Sequence, residues 1–212
     1  METPSATNNV VQCPSEFYLL FFDGGSRGNP GPGGSGSIIL RSGANNAGFT
    51  VCWLAQKSYA SKTTTNNVAE NMGLLTGLRA CVRHGYSPVH VIGIHRRRKP
   101  PKASHIKNIY WRSRRLADQL QVIQWHHHLR CYNKMADKLA NQAMNSKRSI
   151  QVRIAGTTLQ LQRWAAVLQH QHGDVIHWAD NDGTTMRDSI VDKSQAALMV
   201  DSMGLTTGNG GE

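Results

Sequence analysis

The chain has 212 residues, a formal net charge of +11 and a pI near 9.9, enough length for one domain with an extension or for two small ones. No Asp or Glu occurs from Asn71 to Ala117 while Arg and Lys recur there, so the charge is not a tail effect and points to an anionic partner, nucleic acid above all. Cys13, Cys52, Cys81 and Cys131 form no CxxC pair, no stretch approaches membrane-spanning length and Met1 to Gln12 lacks an apolar signal core, which argues against zinc, disulfides, export and a membrane span. The expectation is a soluble intracellular protein, with nucleus and cytoplasm undecided.

Residues 1–15 are rich in Thr, Ser, Asn and Pro and are expected to be disordered. The run Phe17-Tyr18-Leu19-Leu20-Phe21-Phe22 predicts a buried strand, with Asp23 at its end and Gly24-Gly25 turning the chain. A second strand is expected at Ser37–Leu40 and a third at Phe49–Leu54, joined by a turn over 41–46. Three consecutive strands with short links predict an antiparallel meander.

Thr63-Thr64-Thr65-Asn66-Asn67 is a helix-start signal. Val68, Met72, Leu75, Leu78 and Val82 then recur at helical spacing and predict one apolar stripe, with Glu70 in the first turn and Gly85 as the stop. Pro88–Ile92 reads as a fourth strand. A polybasic Pro-Pro segment, Arg96 to Lys102, precedes a helix expected over Ser104–Leu120. A fifth strand is expected at Gln121–Trp125 and a last helix at Asn133–Met144. This order gives an α/β fold, a five-stranded mixed sheet with helices packed on it.

Three motifs stand in order along this frame. Phe21-Phe22-Asp23-Gly24-Gly25-Ser26-Arg27-Gly28-Asn29-Pro30-Gly31 comes first, Thr65-Asn66-Asn67-Val68-Ala69-Glu70 second, and Asn133-Lys134-Met135-Ala136-Asp137-Lys138-Leu139-Ala140-Asn141 last. Together they resemble the type 1 ribonuclease H family, including its retroelement versions, over roughly residues 16 to 147. The resemblance implies a ribonuclease H-like fold and metal-dependent endonucleolytic cleavage of the RNA strand of RNA–DNA hybrids. It implies Asp23, Glu70 and Asp137 as metal ligands. Carboxylates suit magnesium, which prefers hard oxygen donors, and manganese is an acceptable substitute.

By the same resemblance His127, Arg130 and Asn133 match a His–Arg–Asn spacing before the final aspartate. The histidine there assists proton transfer or product release, a task that suits an imidazole. With His126, His127 and His128 adjacent, the assignment stays open by one position. Gly24, Ser26, Asn29, Asn66 and Asn67 match positions at the hybrid backbone. For Asn66 and Asn67, helix capping is the competing reading. Lys107, Trp111 and Arg114 lie on the helix after the Pro-Pro segment. They are read either as a basic, tryptophan-bearing hybrid contact or as a solvated face with Trp111 in the core.

One element of the family pattern is absent. The aspartate that follows the fourth strand in a Gly-Asp-Ser setting is replaced here by Gly93-Ile94-His95-Arg96. Only 43 residues lie between Gly93 and Asp137, so the change reads as a deletion of helical turns. His95 is a poor replacement, because magnesium disfavours nitrogen. Two functions therefore stay open: an impaired hybrid nuclease, and a hybrid-binding remnant of a retroelement that does not cut. Residues 148–212 are expected to form an extension of unknown role, partly disordered. A helix is plausible near Leu159–Gln169, and Asp180-Asn181-Asp182-Gly183 fails as a calcium loop.

Overall fold

Strand β1 (Tyr18–Ser26) grows from the apolar run and lies at the centre of the sheet. In this computed structural model residues 16–43, 48–93, 101–154 and 158–182 are described. The expected disorder of 1–15, His95, the run Arg96–Lys99 and the glycine-rich end fall outside them. Leu19 and Phe21 point into one core and Leu20 and Phe22 into another, so both faces of β1 are covered. A strand buried on both sides reads as a continuous apolar run, as this one does.

Strands β2 (Gly33–Ser42) and β3 (Phe49–Tyr59) continue antiparallel from β1, which makes the expected meander. Helix α1 (Asn66–His84) leads to β4 (Val89–Gly93), parallel to β1. Helix α2 (Ser104–Ala117) leads to β5 (Val122–His127), parallel to β4. A 3₁₀ turn at Arg130–Tyr132 opens α3 (Lys134–Ser146). The chain then adds β6 (Ile150–Arg153), α4 (Thr158–Arg163), α5 (Ala165–Leu168) and α6 (Gln171–Asp182). The strand order is β5-β4-β1-β2-β3-β6.

The fold is the expected mixed α/β architecture with one strand more. The sixth strand, β6, pairs antiparallel with β3 from Gln56↔Ile150 to Trp53↔Arg153. Four residues of alternating exposure carry too little pattern to announce a strand. The first strand also runs four residues past the expected end, because Asp23 to Ser26 pair with Gly36 to Gly33 of β2. Asp23 is thus inside the antiparallel ladder. It is nevertheless past the last parallel pair with β4, Phe21↔Ile92. The sheet opens beside it.

The apolar stripe of α1 needs correction. Leu75 and Leu78 are buried, but Val82 is exposed, and the sheet-facing residues include Ala69, Gly73, Thr76, Gly77 and Ala80. Small residues let the helix lie close on the sheet, which outweighs the bulk of the valines. The helix read near 159–169 is broken at Trp164 into α4 and α5. Trp164, Val167, Val175 and Trp178 join Phe17, Phe21, Ile38, Leu54 and Leu139 in the core beneath α3. Residues 150–182 thus supply one strand and much of one sheet face. Among the described residues no helix is long and apolar enough to cross a membrane, and Cys52, Cys81 and Cys131 are free thiols.

Candidate active site

Asp23 is 1% exposed, at the point where β1 leaves its parallel partner. Its Oδ1 accepts from the Gly24 N–H at 2.7 Å. Its Oδ2 is buried and accepts no hydrogen bond. Burial pushes the carboxyl up to about 6, the Gly24 amide and Arg130 pull it back, and Asp137 adds to the rise.

Two helices are brought to this point by missing side chains. A Cβ on Gly24 would stand 2.3 Å from Ala69 C and 2.4 Å from Glu70 N, so α1 enters directly over the residue after Asp23. A Cβ on Gly36, the ladder partner of Asp23, would stand 2.2 Å from Ala136 O. Any side chain at either place would push a helix off the sheet, and with it Glu70 or Asp137.

Asp137 lies in the first turn of α3 and is half-buried. Asn141 Nδ2 donates to its Oδ2 at 3.0 Å. Arg130 links it to Asp23: Arg130 Nε is 3.6 Å from Asp137 Oδ1 and 3.8 Å from Asp23 Oδ2. The guanidinium, with its side chain 61% exposed, caps the two acids from the solvent side. Arg130, expected at nucleic acid, is in this structure the counter-cation of the carboxylates. Glu70 is buried at the start of α1.

The donor chemistry fits a hard divalent cation in part. Asp23 and Asp137 flank one position now held by a cation, and one buried carboxylate oxygen is unsatisfied by hydrogen bonds. The count is short. Among the described residues no three His, Cys, Asp or Glu side chains stand together closely enough to hold a metal ion. The position after Gly93, where the resemblance expects another carboxylate, lies outside the described residues, as does His95.

The backbone-contact candidates form one cluster. Asn66 Oδ1 accepts from Ser26 N at 2.8 Å and from Ser26 Oγ at 3.1 Å. Asn29 Oδ1 accepts from Asn66 N at 3.0 Å. The capping alternative for Asn66 and Asn67 fails, since Thr65 Oγ1 takes the Val68 N–H at 3.3 Å. Asn67 is exposed. Asn133 is wholly buried and its Nδ2 donates to Phe22 O at 2.9 Å, which leaves it no surface to offer a nucleic acid. It ties the start of α3 to the strand that carries Asp23.

Of the three histidines only His127 is exposed; it ends β5 opposite Gly93. His126 and His128 turn inward. His126 shares a 2.8 Å contact with His90 and accepts from Trp178 Nε1 at 3.3 Å. His128 Nδ1 is 3.1 Å from Tyr132 O, and burial lowers its pKa to about 4. On α2 the core alternative for Trp111 is overturned. Ile106, Tyr110, Ser113 and Ala117 are buried, whereas Trp111 is 51% exposed. Lys107 and Arg114 are exposed too, and their spacing from Trp111 puts all three on one helical face. Arg114 is 3.9 Å from Asp118, a solvent-screened pair.

Sequence reasoning missed Asp174. Its Oδ1 and Oδ2 accept from Lys134 N at 3.1 Å and Met135 N at 2.8 Å, at the first turn of α3. The signal in the sequence was that the extension carries Trp164, Trp178 and the apolar run Ala165-Ala166-Val167-Leu168, which mark it as packed but say nothing of Asp174.

The reverse transcriptase-like family profile matches residues 21–143, which contain Asp23, Glu70 and Asp137. The bifunctional protein Rv2228c of Mycobacterium tuberculosis is 34% identical over 131 residues, 58% of this chain and 34% of that protein. An uncharacterized protein of Mycobacterium bovis, Mb2253c, matches equally. The chain thus spans about a third of the length of these curated relatives. Among solved structures, the N-terminal RNase H domain of Rv2228c is 33% identical with a TM-score of 0.53, covering 60% of this chain and 98% of that one. RNase H1 from Halobacterium salinarum is 25% identical with a TM-score of 0.51, over 61% and 98% of the two chains. LC11-RNase H1, solved with an RNA/DNA hybrid, is 25% identical with a TM-score of 0.50, again over 61% and 98%. By its matched profile and its fold, this chain belongs to the reverse transcriptase-like family and carries a ribonuclease H-like domain.

Proposed function

We propose that the chain binds RNA–DNA hybrids and cleaves their RNA strand with a divalent cation, at a rate reduced by the missing aspartate after Gly93. The observation that carries this reading is the buried Asp23, set at a sheet opening and facing Asp137 across Arg130. Burying Asp23 this way costs stability, which an ion-binding role explains and a scaffold role does not. Asp23 and Asp137 would hold magnesium, or manganese in its place; Glu70, expected as a third ligand, does not form a three-carboxylate group with them as they stand. Such an ion supplies charge neutralisation and an activated water for phosphodiester hydrolysis.

The chain's own residues have defined tasks in this reading. Arg130 holds the two acids together and, being exposed, would also be able to pair with a phosphate oxygen. His127 reaches solvent at the end of β5 and relays a proton. Ser26, Asn29 and Asn66 bring hydroxyl and amide groups to the rim, the groups that read a 2′-hydroxyl. Lys107, Trp111 and Arg114 add phosphate neutralisation and an apolar contact for sugar. The hybrid-bound LC11-RNase H1 supports the substrate class.

A second reading is a hybrid-binding module that does not cut. The missing aspartate and the guanidinium seated between Asp23 and Asp137 favour it. Cleavage of a hybrid labelled on its RNA strand, in magnesium and in manganese, separates the two. Cleavage abolished by Asp23→Asn supports the nuclease. Salt-sensitive hybrid binding without cleavage in either metal leaves the binding module.

A further inference from the structure

Helix α3 carries Asp137 but does not cap itself. The residue at its N-cap, Asn133, makes no side-chain bond to the helix: its Nδ2 donates to Phe22 O and its buried Oδ1 accepts no hydrogen bond. The free N–H groups of Lys134 and Met135 are instead taken by Asp174, which lies 40 and 39 residues further along the chain. Each carboxylate oxygen takes one N–H, and the residue is 1% exposed. A carboxylate at a helix N-terminus satisfies orphan donors and faces the positive end of the dipole.

The rest of α6 grips the same segment. His177 stacks on Tyr132 with ring centroids 3.7 Å apart and meets His128 edge-on at 4.7 Å. Trp178 Nε1 donates to His126 Nε2 at 3.3 Å. The chain from His126 to Met135 is therefore held from β1 by Asn133 and from α6 by Asp174, His177 and Trp178. Met135 stands two residues before Asp137, in the same helical turn.

We propose that Asp174 is a positioning residue for Asp137: it fixes the first turn of α3 and so sets where the Asp137 carboxylate stands relative to Asp23. Residues 158–182, which lie beyond the span matched to the family, then serve the site itself as well as the core. This inference rests on the reading of Asp23 and Asp137 as metal ligands. The partner it deepens is the divalent cation.

The test uses the full chain with Asp174→Ala, Asp174→Asn and Val167→Ala, the last removing core volume from α5 and no hydrogen bond at the α3 start. Three quantities are read: amide hydrogen exchange at Met135 to Asp137, Mn2+ affinity by electron paramagnetic resonance, and kcat and KM on a labelled hybrid. Asp174→Ala is expected to speed exchange at those amides and to weaken Mn2+ binding about 10-fold or more, the scale of an outer-shell loss. It should lower kcat with KM nearly constant. Asp174→Asn, keeping one acceptor oxygen, should fall between. Val167→Ala should lower the melting temperature and leave exchange at Met135 to Asp137 and Mn2+ affinity as they were.

Unchanged exchange at those amides in Asp174→Ala overturns the proposal. So does a melting-temperature loss matching that of Val167→Ala with Mn2+ affinity and kcat intact. If the unsubstituted chain binds no Mn2+ and cuts no hybrid, the functional reading fails by itself. The exchange rates then still decide whether Asp174 fixes the turn.

Discussion

Two helices carry carboxylates to the opening beside Asp23, and they start in different ways. Helix α1 is capped without α6: Thr65 Oγ1 takes the Val68 N–H, three residues on, and Asn29 Oδ1 takes the Asn66 N–H. Helix α3 is capped from outside: Asp174 takes the Lys134 and Met135 N–H groups from across the fold. The Thr65 bond forms when the local chain folds, and the Asn29 bond comes from the segment that follows β1. The α3 cap exists only after α6 has docked through Trp178, Val175 and Ala179. The start of α1, which carries Glu70, is thus fixed without α6, and the start of α3, which carries Asp137, is fixed by it.

The largest effect that separates the two is expected at Trp178, which is wholly buried against Phe17, Phe49, His90 and His126. Trp178→Ala should cost about 3–5 kcal/mol in denaturant unfolding. If α3 depends on α6 and α1 does not, the residual native state should lose exchange protection at the start of α3 and keep it at the start of α1. Equal loss at both helices would break the comparison.

The pH dependence sharpens it next. Asp23 has its folded pKa raised to about 6 from 3.8, so its ionisation destabilises the fold above about pH 6 and that cost vanishes as pH falls toward 4. His128 has its folded pKa lowered to about 4 from 6.5, so its contribution is full above about pH 6.5 and is lost as pH falls toward 4. The two run in opposite directions over one window, each on the order of 3 kcal/mol. Asp174, raised by burial, adds to the Asp23 trend, and His177, lowered by burial, adds to the His128 trend.

The unsubstituted, metal-free chain should therefore show a shallow stability profile between pH 4 and 7. Asp23→Asn should be more stable at pH 7.5 by up to about 3 kcal/mol and should lose stability steeply on acidification. A less stable Asp23→Asn at pH 7.5, measured by urea unfolding, would mean that Asp23 is a structural acid rather than one held ready for a cation. The smallest effect belongs to the local cap. Thr65→Ala should cost about 1 kcal/mol and leave exchange at Met135 to Asp137 unchanged.

The same contrast explains what the sequence made legible. Asp23, Glu70 and Asp137 fell on the expected elements because each sits in a local motif: a strand followed by glycines, a capped helix start, an Asn four residues before an Asp; Glu70, expected in the first turn of α1, stands just past it. The core alternative for Trp111 could be weighed from the spacing of Ile106, Tyr110, Ser113 and Ala117, which define the opposite face. The alternation of His126, His127 and His128 was also available. With the fifth strand ended at Trp125 its two-residue period went unused, and the strand in fact reaches His127.

Asp174 had no such signal. Its partners are backbone N–H groups, which leave no trace in side-chain pattern, and it lies 40 residues from Lys134. Strand β6 was hidden for a related reason, since its four residues gain stability from pairing with β3 and not from their own pattern. Arg130 was legible as a basic residue beside the site. That its Nε would lie between two acids depends on the turn at Arg130–Tyr132, which α6 holds through the His177–Tyr132 stack.

The most direct test of the whole account is Mn2+ binding to the full chain at pH 7.5, followed by electron paramagnetic resonance, beside Asp23→Asn and Asp137→Asn. The account predicts binding by the unsubstituted chain, lost or weakened at least 10-fold in each variant. No binding by the unsubstituted chain, or equal binding by all three proteins, would contradict the assignment of these carboxylates to a metal and leave Arg130 as their permanent partner.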